Sequence, residues 1–286
     1  MIKFIKYFSQ SIFIYFFFII GKIIGLNLSR KLFSFLFNKL GKIFKSKKII
    51  NSNLEIFEKN ISLQKKEKII TNMWVNYGMT FIEYIFLSYF KKNYSHITIE
   101  GENYLDNILK KGKPVIFVSG HFANYELMSM EITKKDIKLA TIYRPLNNYF
   151  LNPLMEYLRK KYVCPNQIKK GMNGVREAIH YIKKNYSVAL MIDQRVSEGE
   201  KIDLFGKAAF TTTLPAQLAL KYDLSICPVY IERVNVKNFS LKFFDEIKSS
   251  NFKNKIELSK KLNSVLEEMI KKNPDQWIWT HNRWKK

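Results

Sequence analysis

From residue 113 to the C-terminus, short apolar runs alternate with helix-patterned segments, and this alternation limits the fold more than any other feature of the chain. PVIFVS (114–119), KLATIY (138–143) and VALMI (188–192) are apolar and of strand length. Helical patterns separate them. One begins near Ala123, one near Asn152 with Pro153 in a favourable first-turn position, and one covers residues 174–185. A loop, FGKAAFTTT, leads to a helix at 214–222, SICPVYIERV and SLKFFDEI read as two more strands, and 254–272 is a charged helix. Repeated β-α units predict an α/β fold: a mainly parallel or mixed central sheet flanked by helices. Residues 51–92 read as helical. Their stretch Trp74 to Phe90 is strongly apolar, broken by Asn76, Thr80, Glu83 and Ser88, and suits either the core or a groove for a hydrocarbon chain.

Ahead of this body stands an unbroken apolar run, Ile12 to Ile20, preceded by Lys3 and Lys6 and followed by Lys22. No small-residue cleavage site follows it, which argues for an anchor over a cleaved signal peptide. A full span needs roughly 20 apolar residues, so a spanning helix and a partly inserted one both fit. In KLFSFLFNKLGKIF (31–44), Phe33, Leu36, Phe37, Leu40 and Phe44 recur at helical spacing among Lys31, Lys39 and Lys42. This suits a basic helix at a membrane surface, with a core helix as the alternative. The expected division is an N-terminal membrane anchor over 1–30 and an enzyme domain over 31–286. The Lys/Arg excess after the run places that domain on the cytoplasmic side.

The 286 residues carry 48 Lys+Arg against 24 Asp+Glu, a formal charge of +24. Such a chain seeks anionic partners, an anionic membrane among them. Hydrophobic residues at 47% exclude a disordered chain, and two cysteines, Cys164 and Cys227, exclude a disulfide scaffold. Neither cysteine sits in a metal-spaced cluster with histidine. The aromatic and basic C-terminus lacks any RNP, helix-turn-helix or zinc pattern, so nucleic acid is not an expected partner. Lysine is used freely, so the seven arginines (Arg30, Arg144, Arg159, Arg176, Arg195, Arg233 and Arg283) mark places where a planar, bidentate guanidinium is wanted. Arg30, beside the anchor, is expected to tolerate lysine.

Three strands end in polar residues: His121 to Glu126 after the first, Arg144 after the second, and Asp193-Gln194-Arg195 after the third. In an open parallel sheet, ligands bind beyond the carboxyl ends of the strands, so these residues would share one rim. His121 and Glu126, five apart, do not share a helix face. They form a dyad if His121 lies in the turn and Glu126 in the first helical turn, the carboxylate fixing one imidazole nitrogen while the other acts as general base. A histidine that merely caps the strand-helix turn is the structural alternative. His96, His180 and His281 have no such setting.

GHFANYE, with its His-x4-Glu spacing, resembles the motif of the glycerolipid acyltransferase superfamily, and its Glu form is similar to the late acyltransferases of lipid A biosynthesis, the lauroyl and myristoyl transferases. YRPLNNYFLNPLMEYLRKK, MIDQ with DLFGKAAFTTT, and PDQWIWTHNRWKK resemble further segments of that family in the same order, and NYGMTFIEYIFL is a weaker match. The resemblance runs nearly the whole chain. Tyr125 stands where tryptophan is commoner, Leu204 where a second phenylalanine is usual, and Trp277 where tyrosine is. These exchanges are expected to leave the chemistry untouched.

The resemblance implies a membrane-bound acyltransferase without a metal or other cofactor. His121, backed by Glu126, takes the proton of an acceptor hydroxyl, which attacks an acyl thioester. Arg159 matches the family's functional arginine and Asp193 the aspartate of its DQ segment; Arg144, Arg159 and Asp193 are expected to bind substrate, Arg159, with Arg144, through phosphate of the acceptor or of the carrier's phosphopantetheine. The implied partners are acyl carrier protein as donor, a phosphorylated lipid A precursor as acceptor, and the anionic inner membrane. A lysophospholipid acyltransferase shares the chemistry. A non-catalytic, basic membrane-surface protein is the reading from another class, and it gives no reason for polar residues at three strand ends.

Overall fold

The computed structural model of the protein describes residues 2–44, 47–196 and 198–285, with the side chains of Lys42 and Phe44 outside that description. Four helices come first: α1 (Ile2–Phe44), α2 (Lys47–Phe57), α3 (Leu63–Glu83) and α4 (Leu87–Lys92). Then follow β1 (Ile97–Glu100), α5 (Glu102–Lys111), β2 (Ile116–Ser119), α6 (Glu126–Lys134), β3 (Leu139–Tyr143), α7 (Asn152–Leu158), β4 (Asn166–Lys169), α8 (Met172–Lys183) and β5 (Ser187–Met191). The chain continues through β6 (Glu200–Leu204), β7 (Lys207–Thr211), α9 (Leu214–Tyr222), β8 (Ser225–Arg233), β9 (Phe239–Phe243), β10 (Ile247–Lys248) and α10 (Lys255–Lys272).

The central sheet runs β1-β9-β8-β2-β5-β3-β4, with β10 paired to β8. The pairs β2–β5, β3–β5, β3–β4, β2–β8 and β1–β9 are parallel, and β8–β9 and β10–β8 are antiparallel. This is the mainly parallel α/β sheet that the alternation predicts. The three apolar runs are its middle strands, and β2 is buried at every position, as a strand covered on both faces must be. FGKAAFTTT is not a loop. Residues 200–211 form a hairpin whose two-residue turn, Phe205 (φ 56°) and Gly206 (φ 68°), has the left-handed geometry of a primed turn.

The first helix is long and apolar enough to cross a membrane between Ile2 and Gly41. It runs through the expected boundary at 30/31 without a break. Its interruption lies at Gly25, where φ 78° and ψ 169° suit only glycine. One side of α1 packs on the body: Phe18 and Phe33 are buried, and Phe37 meets Tyr77 edge-on and Phe81 at a tilt. Gly78 on α3 admits this approach, because a Cβ there would sit 2.4 Å from the Phe33 carbonyl oxygen. The other side exposes Phe13, Phe16, Ile19, Phe35, Leu40 and Ile43. Residues 31–44 thus combine a core face with an exposed apolar face.

Candidate active site

Strand register, not chain proximity, assembles the site. Ser119 of β2 lies opposite Met191 of β5. His121 and Asp193 each follow two residues later, so they leave the sheet side by side. Asp193 Oδ1 is 2.8 Å from His121 Nδ1, and Oδ2 accepts the His121 backbone N–H and the Trp277 Nε1–H, each at 2.9 Å. Burial raises the pKa of this 1%-exposed carboxyl, but the His121 charge and hydrogen bonds outweigh burial and hold it well below the usual carboxylate range. An anionic Asp193 takes the Nδ1–H, which leaves Nε2 as the basic nitrogen. Gln194 donates its amide N–H to that Nε2 at 3.2 Å and lies 3.2 Å from His281 Nε2.

The expected contact between Glu126 and the imidazole is not made. Ala123, at φ 41°, swings the chain between the two residues, so α6 starts at Glu126 and not near Ala123. Glu126 Oε1 accepts Arg159 Nε at 2.9 Å, Arg159 Nη2 at 2.6 Å and the Tyr84 hydroxyl. A permanent cation is a stronger partner for a carboxylate than a neutral imidazole. Arg159 Nη2 also donates to the Tyr84 hydroxyl at 2.8 Å, and the guanidinium carbon is 5.6 Å from the ring centroids of both Tyr84 and Tyr143. Among the described residues, Nη1 of Arg159 has no protein partner.

A cavity of about 450 Å³ brings these groups together. His121, Glu126, Arg144, Arg159 and Gln194 supply its polar lining, and Met73, Trp74, Met128, Leu190 and Ile278 much of its apolar lining. Four of the five residues singled out from sequence line it. The fifth, Asp193, sits behind the imidazole. Arg144 is exposed at the rim, with no carboxylate paired to it among the described residues. Lys170 lines the same cavity, and burial, then the Arg144 charge, lower its pKa. Two cations therefore share this side of the mouth.

Sequence reasoning placed Gln194 on the rim without a role and missed Tyr84, Trp277 and Arg283. Trp277 was legible as a departure from the expected tyrosine, and the exchange does reach the site, since the indole N–H binds Asp193. Tyr125 reaches it too: its ring meets the His121 ring edge-on at 4.6 Å, and its hydroxyl is 3.1 Å from that of Tyr84. Arg283, fully buried, donates to the carbonyls of Gln194 and Phe210 and to the Thr211 hydroxyl. It fixes the segment after β5 to the hairpin.

Known proteins resemble this chain over most of its length. A family model described as bacterial lipid A biosynthesis acyltransferase matches residues 2–286. The lipid A biosynthesis palmitoleoyltransferase of Escherichia coli (strain K12) is 23% identical over 247 residues, which is 83% of this chain and 78% of that protein. The lipid A biosynthesis acyltransferase of Shigella flexneri is also 23% identical over 247 residues. A solved 1-acyl-sn-glycerophosphate acyltransferase from Thermotoga maritima aligns with a TM-score of 0.43 at 15% identity, over 89% of this chain and 100% of that one. A match that extends from the apolar first helix to the C-terminal aromatic segment leaves no part of the body unassigned, and the chain belongs to the bacterial lipid A biosynthesis acyltransferase family.

Proposed function

We propose that this acyltransferase moves a fatty acyl chain from acyl carrier protein to a hydroxyl of a phosphorylated lipid A precursor, with His121 as general base oriented by Asp193. The observation that carries the mechanism is the 2.8 Å contact between His121 Nδ1 and Asp193 at the cavity wall. The acceptor hydroxyl takes the place of the Gln194 amide at Nε2 and gives up its proton there. Its oxygen attacks the thioester carbonyl, and the free Nη1 of Arg159 faces the oxyanion that develops. The carbon–sulfur bond then breaks, the carrier thiolate takes the proton from His121, and an ester remains. Glu126 acts by holding Arg159. Arg144 and Lys170 receive a phosphate of the acceptor or of the carrier's phosphopantetheine.

The exposed apolar side of α1 and the lysines around it support attachment to the inner membrane, with the body on the cytoplasmic side, where acyl carrier protein is found. Mass spectrometry of lipid A from cells with and without the gene tests the reading. Loss of one secondary acyl chain is the expected result. Unchanged lipid A with altered phospholipid acylation would assign the enzyme to a glycerolipid acceptor instead.

A further inference from the structure

Glu83 is fully buried and has no part in the chemistry above, yet four segments meet on its carboxylate. Glu83 itself closes α3. Arg30 of α1 donates through Nε to Oε1 at 2.6 Å. Arg233, at the end of β8, grips both oxygens, Nη1 to Oε1 at 2.7 Å and Nη2 to Oε2 at 2.9 Å. The fourth segment is the turn that carries His121: Asn124 Nδ2 donates to Oε2 at 2.9 Å. One helical turn earlier on the same face of α3, the Thr80 hydroxyl donates to the Ala123 carbonyl at 3.0 Å.

We propose that Glu83 is a positioning residue: it fixes the catalytic turn in the shape that sets His121 on Asp193, and through Arg30 it ties that turn to the membrane helix. Its activity arm rests on the acyl-transfer reading above. Ala123, at φ 41°, occupies a conformation that non-glycine residues adopt only when their surroundings impose it. The surroundings here are Thr80 and Glu83 on the α3 side, the latter through Asn124, and the Gln276 carbonyl, which accepts the Ala123 N–H at 3.2 Å, on the other. Simple stability does not call for such a cluster, since buried ion pairs are often replaceable by apolar side chains without loss. Directional bonds do what apolar packing does not, and fix the rotation of α1 and the register of the turn together. Burial raises the Glu83 pKa, but Arg233 and then Arg30 outweigh it and keep the carboxyl below the usual range, so the anion persists.

Asn124→Ala removes the turn's bond to Glu83 and leaves both ion pairs and the Thr80 bond, whereas Arg30→Met cuts the membrane helix from the cluster. Thr80→Val is the substitute should Asn124→Ala not fold. Each full-length variant, in vesicles, is assayed for kcat and KM with acyl carrier protein thioester and lipid A precursor. The low-field Nδ1–H proton resonance of His121, assigned by its loss in Asp193→Asn, is followed by NMR in parallel. Misplacement of a catalytic group by about 1 Å costs on the order of a hundredfold. The expected result is therefore a kcat lowered about ten- to a hundredfold, KM little changed, a thermal midpoint little changed in Asn124→Ala and lowered in Arg30→Met, which breaks a buried ion pair, and a His121 resonance broadened or lost in both. A wild-type resonance in folded Asn124→Ala or Arg30→Met overturns the proposal, and so does a kcat loss that merely tracks lost thermal stability. If the wild-type protein transfers no acyl chain, the functional reading fails, while the resonance still decides the role of Glu83.

Discussion

Asp193 lies 72 residues from His121 in sequence and 2.8 Å from it in space, so its replacement separates orientation from proton transfer. Asp193→Asn keeps the shape but favours the wrong imidazole tautomer, and kcat should fall on the order of 10²–10⁴-fold, as for loss of a positioned acid–base group. The same variant has a consequence for stability. The Asp193 pKa lies below its ordinary 3.8, so the stability it contributes is complete above about pH 4 and is lost as pH falls through the depressed value. The thermal midpoint of Asp193→Asn should therefore fall less steeply than wild type on acidification below that pH. Four of the seven arginines meet the expectation drawn from their scarcity. Arg30, Arg159, Arg233 and Arg283 are each held by two or more hydrogen bonds or by a buried ion pair, whereas Arg176 is exposed. Arg30, expected to tolerate lysine, is 2% exposed against Glu83. Arg159→Lys keeps a charge but loses the fork on Glu126 and Tyr84. Losing a charge-assisted bond costs about 1.5–3 kcal/mol, so kcat/KM should fall about ten- to a hundredfold in steady-state assays.

At the scale of elements, what the sequence disclosed was what burial makes conspicuous. β2, β3 and β5 are apolar runs, and their carboxyl ends mark the rim. β1 (ITIE) and β4 (NQIK) escaped because they are short outer strands with polar residues at exposed positions. β6 and β7 escaped because their alternation is broken by a turn that puts phenylalanine in a left-handed conformation. The partner of His121 was out of reach for another reason. Local spacing offered Glu126, while the register of β2 against β5 delivered Asp193, and register is a property of the folded sheet. Asn76, Thr80 and Glu83 were visible as polar breaks in an apolar helix. Their spacing of four and three places them on one face, which is where Arg233 and the turn that carries His121 are bound. The break in α1 is testable by itself. Gly25→Ala forces a side chain into φ 78°, with a cost of about 1–3 kcal/mol. The thermal midpoint of the variant should drop by a few degrees, with His121 chemistry intact.

At the scale of the molecule, a charge of +24 and an apolar helix side set the terms of every encounter. An acidic carrier protein would be steered to such a surface, and screening shortens the range of steering to about 10 Å at 0.1 M salt. The rate with acyl carrier protein thioester should fall as salt rises, whereas the rate with a small neutral thioester should stay flat. Comparable salt profiles for the two donors would remove electrostatic steering from the account. The central claim is that this cavity joins a carrier-borne acyl chain to a lipid A precursor hydroxyl. Its most direct measurement is mass spectrometry of the products formed by the purified, vesicle-reconstituted protein given acyl carrier protein thioester and the phosphorylated precursor. The account predicts a precursor heavier by one ester-linked acyl chain, formed by wild type and not by His121→Ala. An unchanged precursor, or equal acylation by His121→Ala, would contradict it.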